Sequence, residues 1–77
     1  MLTETSAVAV DSTLLARVRF EPCQSTLQLE FRNGAVYRYL AVPGDIYHGL
    51  LSADSKGTYF NRNIRNRFAF VLLRRPH

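Results

Sequence analysis

The chain has 77 residues, 47% of them hydrophobic, one cysteine and a formal net charge of +4. That length bounds it to a single domain able to bury only about 60% of the surface its unfolded chain exposes, and its apolar content is too high for a disordered segment. A lone Cys23 excludes an internal disulfide and a Cys-rich zinc site, and the strongest apolar run, Phe68 to Leu73, is far short of the ~20 residues that cross a bilayer.

The opening residues, Met-Leu-Thr-Glu-Thr-Ser, lack the basic n-region and apolar core of a signal peptide, so a soluble cytoplasmic protein is expected. Residues Met1 to Val10 read as a frayed end, with Ala7 to Val10 lying against a sheet. Leu14, Ala16, Val18 and Phe20 then alternate with Leu15, Arg17 and Arg19, the period of a strand with one buried face. Glu21-Pro22 ends it, because proline cannot donate to a ladder, and Cys23 to Ser25 make the turn.

A second strand runs from Thr26 to Phe31, with Leu27, Leu29 and Phe31 facing in and Gln28 and Glu30 facing out. Asn33-Gly34 marks a hairpin. A two-residue loop would set Arg38 opposite Leu29. A three-residue loop with Gly34 in the left-handed bulge position pairs Leu29 with Tyr37 and Leu27 with Tyr39, and leaves Arg38 beside Gln28 on the wet face. Register follows the buried face, so the bulged loop is predicted. The third strand is expected to end at Ala41-Val42.

Pro43 and Asp45 suit a helix start, and Ile46, Tyr47, Leu50 and Leu51 share one helical face to about Ala53. Gly49 weakens this helix and allows close packing on the sheet. Ser55 is the predicted N-cap of a second short helix, with Tyr59, Phe60 and Ile64 as its buried stripe. Phe68, Phe70 and Leu72 alternate with Ala69, Val71 and Leu73 as a final strand. The fold class is α+β: a small antiparallel sheet of three to four strands with two short helices on one face.

Charge is distributed unevenly. All six acids precede Ser55, against four arginines there, for −2; six cations and no acid follow it, for +6. The stretch Ser55 to Arg67 concentrates four cations, two aromatics and three asparagines. Lysine and arginine pair with phosphates, aromatics stack on bases, and asparagine bonds base edges or sugars. A solvated positive surface with no partner has the same composition.

The order Leu-x-Leu-x-Phe-x-x-Gly, Tyr37-x-Tyr39, Val42-Pro43, Tyr47, Ala53, Ser55-x-Gly57, Tyr59-Phe60-Asn61 and Ile64-Arg65 resembles the KTSC domain. That family occurs at the C-terminus of some lysyl-tRNA synthetases and as stand-alone small bacterial proteins. The likeness covers about Val10 to Phe68; the tail Phe68 to His77 does not align with it. It implies a domain with a central Tyr-x-Tyr and a suggested role in RNA binding.

Catalysis finds no support in the residues. Cys23 in a turn and His48 on a helix have no orienting third group. His48 and His77 do not make a metal-ligand spacing, and Asp45 and Asp54 have no reason to act as an acid–base pair. Ser55-Lys56-Gly57 lacks the rest of a phosphate loop. Tyr37 and Tyr39 read as core residues rather than a stacking platform, Asn61 as a base reader or a helix-ending group, and Arg65 as a phosphate ligand or the partner of Asp54 or Glu30. The expectation is a non-enzymatic binding domain without metal or cofactor, a monomer or weak homodimer not inserted in a membrane. Its partner is RNA or single-stranded nucleic acid, met by Arg38, Lys56, Tyr59, Asn61, Arg62, Arg65 and Arg67. The alternative is a protein-interaction module using the apolar C-terminal strand or a sheet edge.

Overall fold

Five antiparallel strands pair in chain order to form one sheet, and two helices cross one of its faces. The computed structural model describes residues 7–77, so the reading of Met1 to Ser6 lies outside the described residues. The strands are β1 (Val8–Ala9), β2 (Leu15–Glu21), β3 (Thr26–Phe31), β4 (Val36–Tyr39) and β5 (Phe70–Arg74). Helices α1 (Gly44–Ser52) and α2 (Lys56–Asn63) lie between β4 and β5. The sheet is therefore larger than the three to four strands expected. The segment read as lying against the sheet supplies a two-residue strand, Val8 opposite Val18 and Ala9 opposite Arg17.

The β3–β4 hairpin has the predicted register: Leu27 faces Tyr39, Gln28 faces Arg38 and Leu29 faces Tyr37. The Gly34 amide donates to the Phe31 carbonyl at 2.9 Å and the Phe31 amide to the Ala35 carbonyl at 2.8 Å. That is the three-residue loop with its bulge, and Gly34 has φ +93°, a conformation open to glycine at no steric cost. Asn33 closes the turn by accepting from the Ala35 amide through Oδ1 at 3.0 Å.

In β2 the predicted alternation fails at one point. Leu15, expected outward, is fully buried, as is Val18, and Phe20 is largely buried. The pairing of β2 with β3 shifts between Leu15 and Arg17, and a bulge there reverses which side chains face the helices. Local bonds hold that shift in place: the Ser12 hydroxyl accepts from the Leu14 and Leu15 amides, and Arg32 reaches over to the Ser12 and Val10 carbonyls. The third strand stops at Tyr39, two residues early, because Ala41 takes φ +55° and Val42 instead donates to the Ser25 carbonyl.

Ser55 caps α2 as predicted, its hydroxyl accepting from the Thr58 amide at 3.2 Å. Leu50 of α1 and Phe60 of α2, with Ile64 just beyond it, pack on Val18, Leu27, Leu29 and Tyr39 to make the core. Truncating any of the fully buried residues Leu27, Leu29, Leu50 or Ile64 to alanine is expected to cost about 2–5 kcal/mol. The second face of the sheet carries no helix and presents polar side chains of β2, β3 and β4. There Glu30 bridges Arg17 and Arg74 at 3.5 and 3.7 Å.

Candidate functional site

On the helix side, β4 and its neighbours bring five aromatic rings together. Tyr37 and Tyr39 project to the same side because they are two residues apart in a strand. Pairing of β4 with β5 sets Tyr39 opposite Phe70 and Tyr37 opposite Leu72. Phe31 comes from the end of β3 and Phe60 from α2. Phe31 meets Tyr37 edge-on at 5.7 Å and Phe60 edge-on at 5.3 Å between ring centres. Phe70 lies 5.2 Å from Tyr37 and 5.6 Å from Tyr39.

These rings floor an open groove of about 480 Å³ between the end of α2 and strands β4 and β5. Its depth is graded. Tyr39 is 5% exposed, Tyr37 is half-buried, and Phe70 keeps 53% of its surface in solvent. Asn61, Arg65 and Asn66 supply the polar wall. Asn61 and Arg65 sit one helical turn apart, so they share a face, and the Arg65 guanidinium donates to the Asn61 side-chain Oδ1 at 3.4 Å. Asn66 takes the left-handed conformation, φ +61°, that turns the chain from α2 toward β5.

Arg65 also acts on the groove floor. Burial pushes the Tyr39 phenol above its ordinary value, the neighbouring Tyr37 adds to this, and the Arg65 guanidinium offsets part of it. Neither Asp54 nor Glu30 pairs with Arg65; Glu30 is taken by Arg17 and Arg74. The groove thus offers an apolar, flat-sided floor beside a cation with no carboxylate partner among the described residues. A planar ring carrying an anionic group fits both halves.

The seven residues expected to form one face are not all brought together. Asn61 and Arg65 line the groove, while Arg62 and Arg67 are exposed and do not line it. Lys56 is engaged elsewhere: its ammonium donates to the Leu51 and Ala53 carbonyls at 3.2 and 2.7 Å, closing the C-terminal end of α1. Tyr59 packs its hydroxyl end against Gly49 of α1, so the close approach that Gly49 permits is to α2 rather than to the sheet. Arg38 stands on the opposite face of the sheet, its guanidinium 3.4 Å from the Gln28 side-chain oxygen. Cys23 is exposed in the β2–β3 turn and His48 lies beside Tyr47 on α1, far apart in role as in sequence. Sequence reasoning missed Tyr37, Asn66 and Phe70 as groove residues. Tyr-x-Tyr was the available signal, since residues two apart in a strand share one face.

Residues 11–68 match the sequence profile of the KTSC domain. This chain belongs to the KTSC domain family. An uncharacterised protein of Stutzerimonas stutzeri is 46% identical over 55 residues, which span 71% of this chain and 78% of that protein. A lysine–tRNA ligase of a Nostoc species is 37% identical over 63 residues, 82% of this chain but only 11% of the ligase. A crystal structure of a KTSC domain protein from Yersinia pestis superimposes with a TM-score of 0.88 at 27% identity, over 92% of this chain and all of that one. In this KTSC domain the profile takes in both tyrosines and the whole of α2 but stops before Phe70. The aromatic wall contributed by β5 is therefore outside the matched span.

Proposed function

We propose that this KTSC domain binds single-stranded nucleic acid, RNA in preference, and acts by binding rather than by catalysis. The observation that carries the reading is the groove: a floor of Tyr37, Tyr39 and Phe70 beside Arg65, an arginine with no acid partner among the described residues. A base stacks on the exposed aromatic wall, Asn61 and Asn66 bond its edge or sugar, and Arg65 takes a phosphate. Arg62 and Arg67 extend the cationic track to neighbouring phosphates. A matching segment within proteins named lysine–tRNA ligase fits an RNA partner. Lys56, bound to helix carbonyls, and Arg38, on the far face, drop out of the contact set.

Three phosphate contacts release counterions from the strand, so the log–log salt slope is about −2, from about −0.7 each. Fluorescence anisotropy of a labelled oligoribonucleotide between about 50 and 200 mM salt measures it. Arg62→Ala should weaken binding to all sequences and flatten the slope by about 0.7, whereas Lys56→Ala leaves the slope unchanged. Absence of binding at the lowest salt would end this reading.

One observation favours a second reading. Phe70, Val71, Leu72 and Leu73 are 42–53% exposed along a sheet edge, which natural proteins rarely leave bare. An extended segment of a protein partner, or of a second copy, would add to β5 as a sixth strand. Gel filtration with light scattering tests the second copy directly.

A further inference from the structure

The helix-free face of the sheet holds a second feature that the groove does not explain. Strand pairing places Arg19 opposite Gln28 and Gln28 opposite Arg38, a straight row across β2, β3 and β4. Adjacent strands are about 4.8 Å apart, so the two arginines flank the glutamine at roughly 10 Å between Cα atoms. They line a polar cleft of about 420 Å³ together with Gln24 and Thr26, and Glu21 stands at one end.

Three details point to an unmet ligand. The Arg19 Nε has no hydrogen-bond partner and is covered in this conformation, so the guanidinium has to turn into the cleft for that donor to be satisfied. Native proteins rarely leave a charged donor so placed. Neither Arg19 nor Arg38 pairs with a carboxylate among the described residues; the ion pairs there are Arg17–Glu30 and Arg74–Glu30. The Gln28 side-chain oxygen accepts from Arg38 over a long 3.4 Å, which leaves its amide N–H groups as spare donors on a residue that lines the cleft. Two guanidinium groups and a glutamine side chain thus line one cleft, and neither arginine has a carboxylate partner there.

We propose that this cleft is a binding site for a terminal phosphate group in its dianionic form. The planar forks of Arg19 and Arg38 match phosphate oxygens two at a time, and two charges balance two arginines. The Gln28 amide and the Thr26 hydroxyl serve the remaining oxygens. Glu21 repels a bare anion at the end of the cleft and accepts hydrogen bonds from hydroxyls next to the phosphate, so the ligand class is a phosphorylated sugar or polyol. The site lies on the opposite face of the sheet from the groove, and neither depends on the other.

The test is a two-dimensional nitrogen–proton NMR titration of the full chain with inorganic phosphate, against sodium chloride at matched ionic strength. The expected result is a saturable shift of the Arg19 Nε–H and Gln28 side-chain signals. Arg38→Gln, an exposed change that leaves the backbone spectrum in place, should weaken binding at least about tenfold, the scale of one lost charge-assisted bond. Arg19→Lys keeps the charge but lacks the fork and should weaken it likewise. Glu21→Gln should tighten it, and Arg65→Gln should leave it unchanged. A dinucleotide with no terminal phosphate should bind about tenfold more weakly than phosphate. Non-saturating shifts, shifts that Arg38→Gln leaves intact, or shifts centred on Arg65 would overturn the site. Equal affinity for the dinucleotide would overturn the dianion.

Discussion

Glycine in the interior of an exposed helix is normally improved by alanine, by about 1 kcal/mol, because alanine leaves the unfolded chain less backbone freedom to lose. Gly49 of α1 should behave in the opposite way. A Cβ there would overlap the Tyr59 hydroxyl and come within 2.7 Å of Cζ and 2.9 Å of Cε2 of the same ring. A phenol ring cannot bend, so relief requires the whole half-buried side chain to swing off α1. Overpacking of this kind costs about 1–3 kcal/mol. Set against the gain in helix propensity, Gly49→Ala should destabilise by about 1 kcal/mol. With the ring removed by Tyr59→Ala the clash is gone, and the same change should stabilise by about 1 kcal/mol. Urea unfolding of the four proteins forms a double-mutant cycle, with an expected coupling of about 2 kcal/mol. If Gly49→Ala stabilises equally in both backgrounds, Tyr59 does not pack over Gly49, and it returns to the list of free groups available to a ligand.

Gly34→Val should cost more than about 1 kcal/mol, because φ +93° strains a β-branched residue and the His77 imidazole occupies the place of its Cβ; a melt within error of wild type would refute the bulged loop. Raising the pH should weaken the fold through Tyr39. Its folded value lies above the unfolded one, so its contribution is complete below the ordinary tyrosine range and is lost as pH climbs through it. Ultraviolet titration should show Tyr39 ionising late, and later still in Arg65→Gln; an unmoved titration would separate Arg65 from the groove floor.

The parts of this fold legible in the sequence are those in which one rule operates within a short window. Asn33-Gly34 with alternating leucines gave the bulged hairpin and its register, and Ser55 gave the start of α2. The phase of β2 was not legible, because a single bulged residue reverses it and the bonds that hold the bulge come from Ser12 and Arg32, the latter seventeen residues from Leu15. The groove was half legible. Asn61 and Arg65 belong to a conspicuous basic stretch, but Phe70 reaches Tyr39 only through pairing that skips two helices. Lys56 was misplaced for a related reason: its partners are main-chain carbonyls, which composition does not reveal.

A sheet whose strand order equals its chain order has a consequence for synthesis on the ribosome. Domains fold from the N-terminus as they emerge, at about 5–20 residues per second, and each of β2, β3 and β4 finds its neighbour already made. β5 breaks that rhythm, since both helices must be translated before it. During that interval the outer edge of β4 is an open template for any passing strand, with Tyr37 and Tyr39 lacking the Phe70 wall. Arg74 and His77 then fasten the late strand to the β3–β4 turn, by bonds to the carbonyls of Gly34 and Asn33 at 2.8 Å each. A nascent chain stalled before residue 70 should therefore be the form most prone to aggregate, and the one a chaperone holds longest.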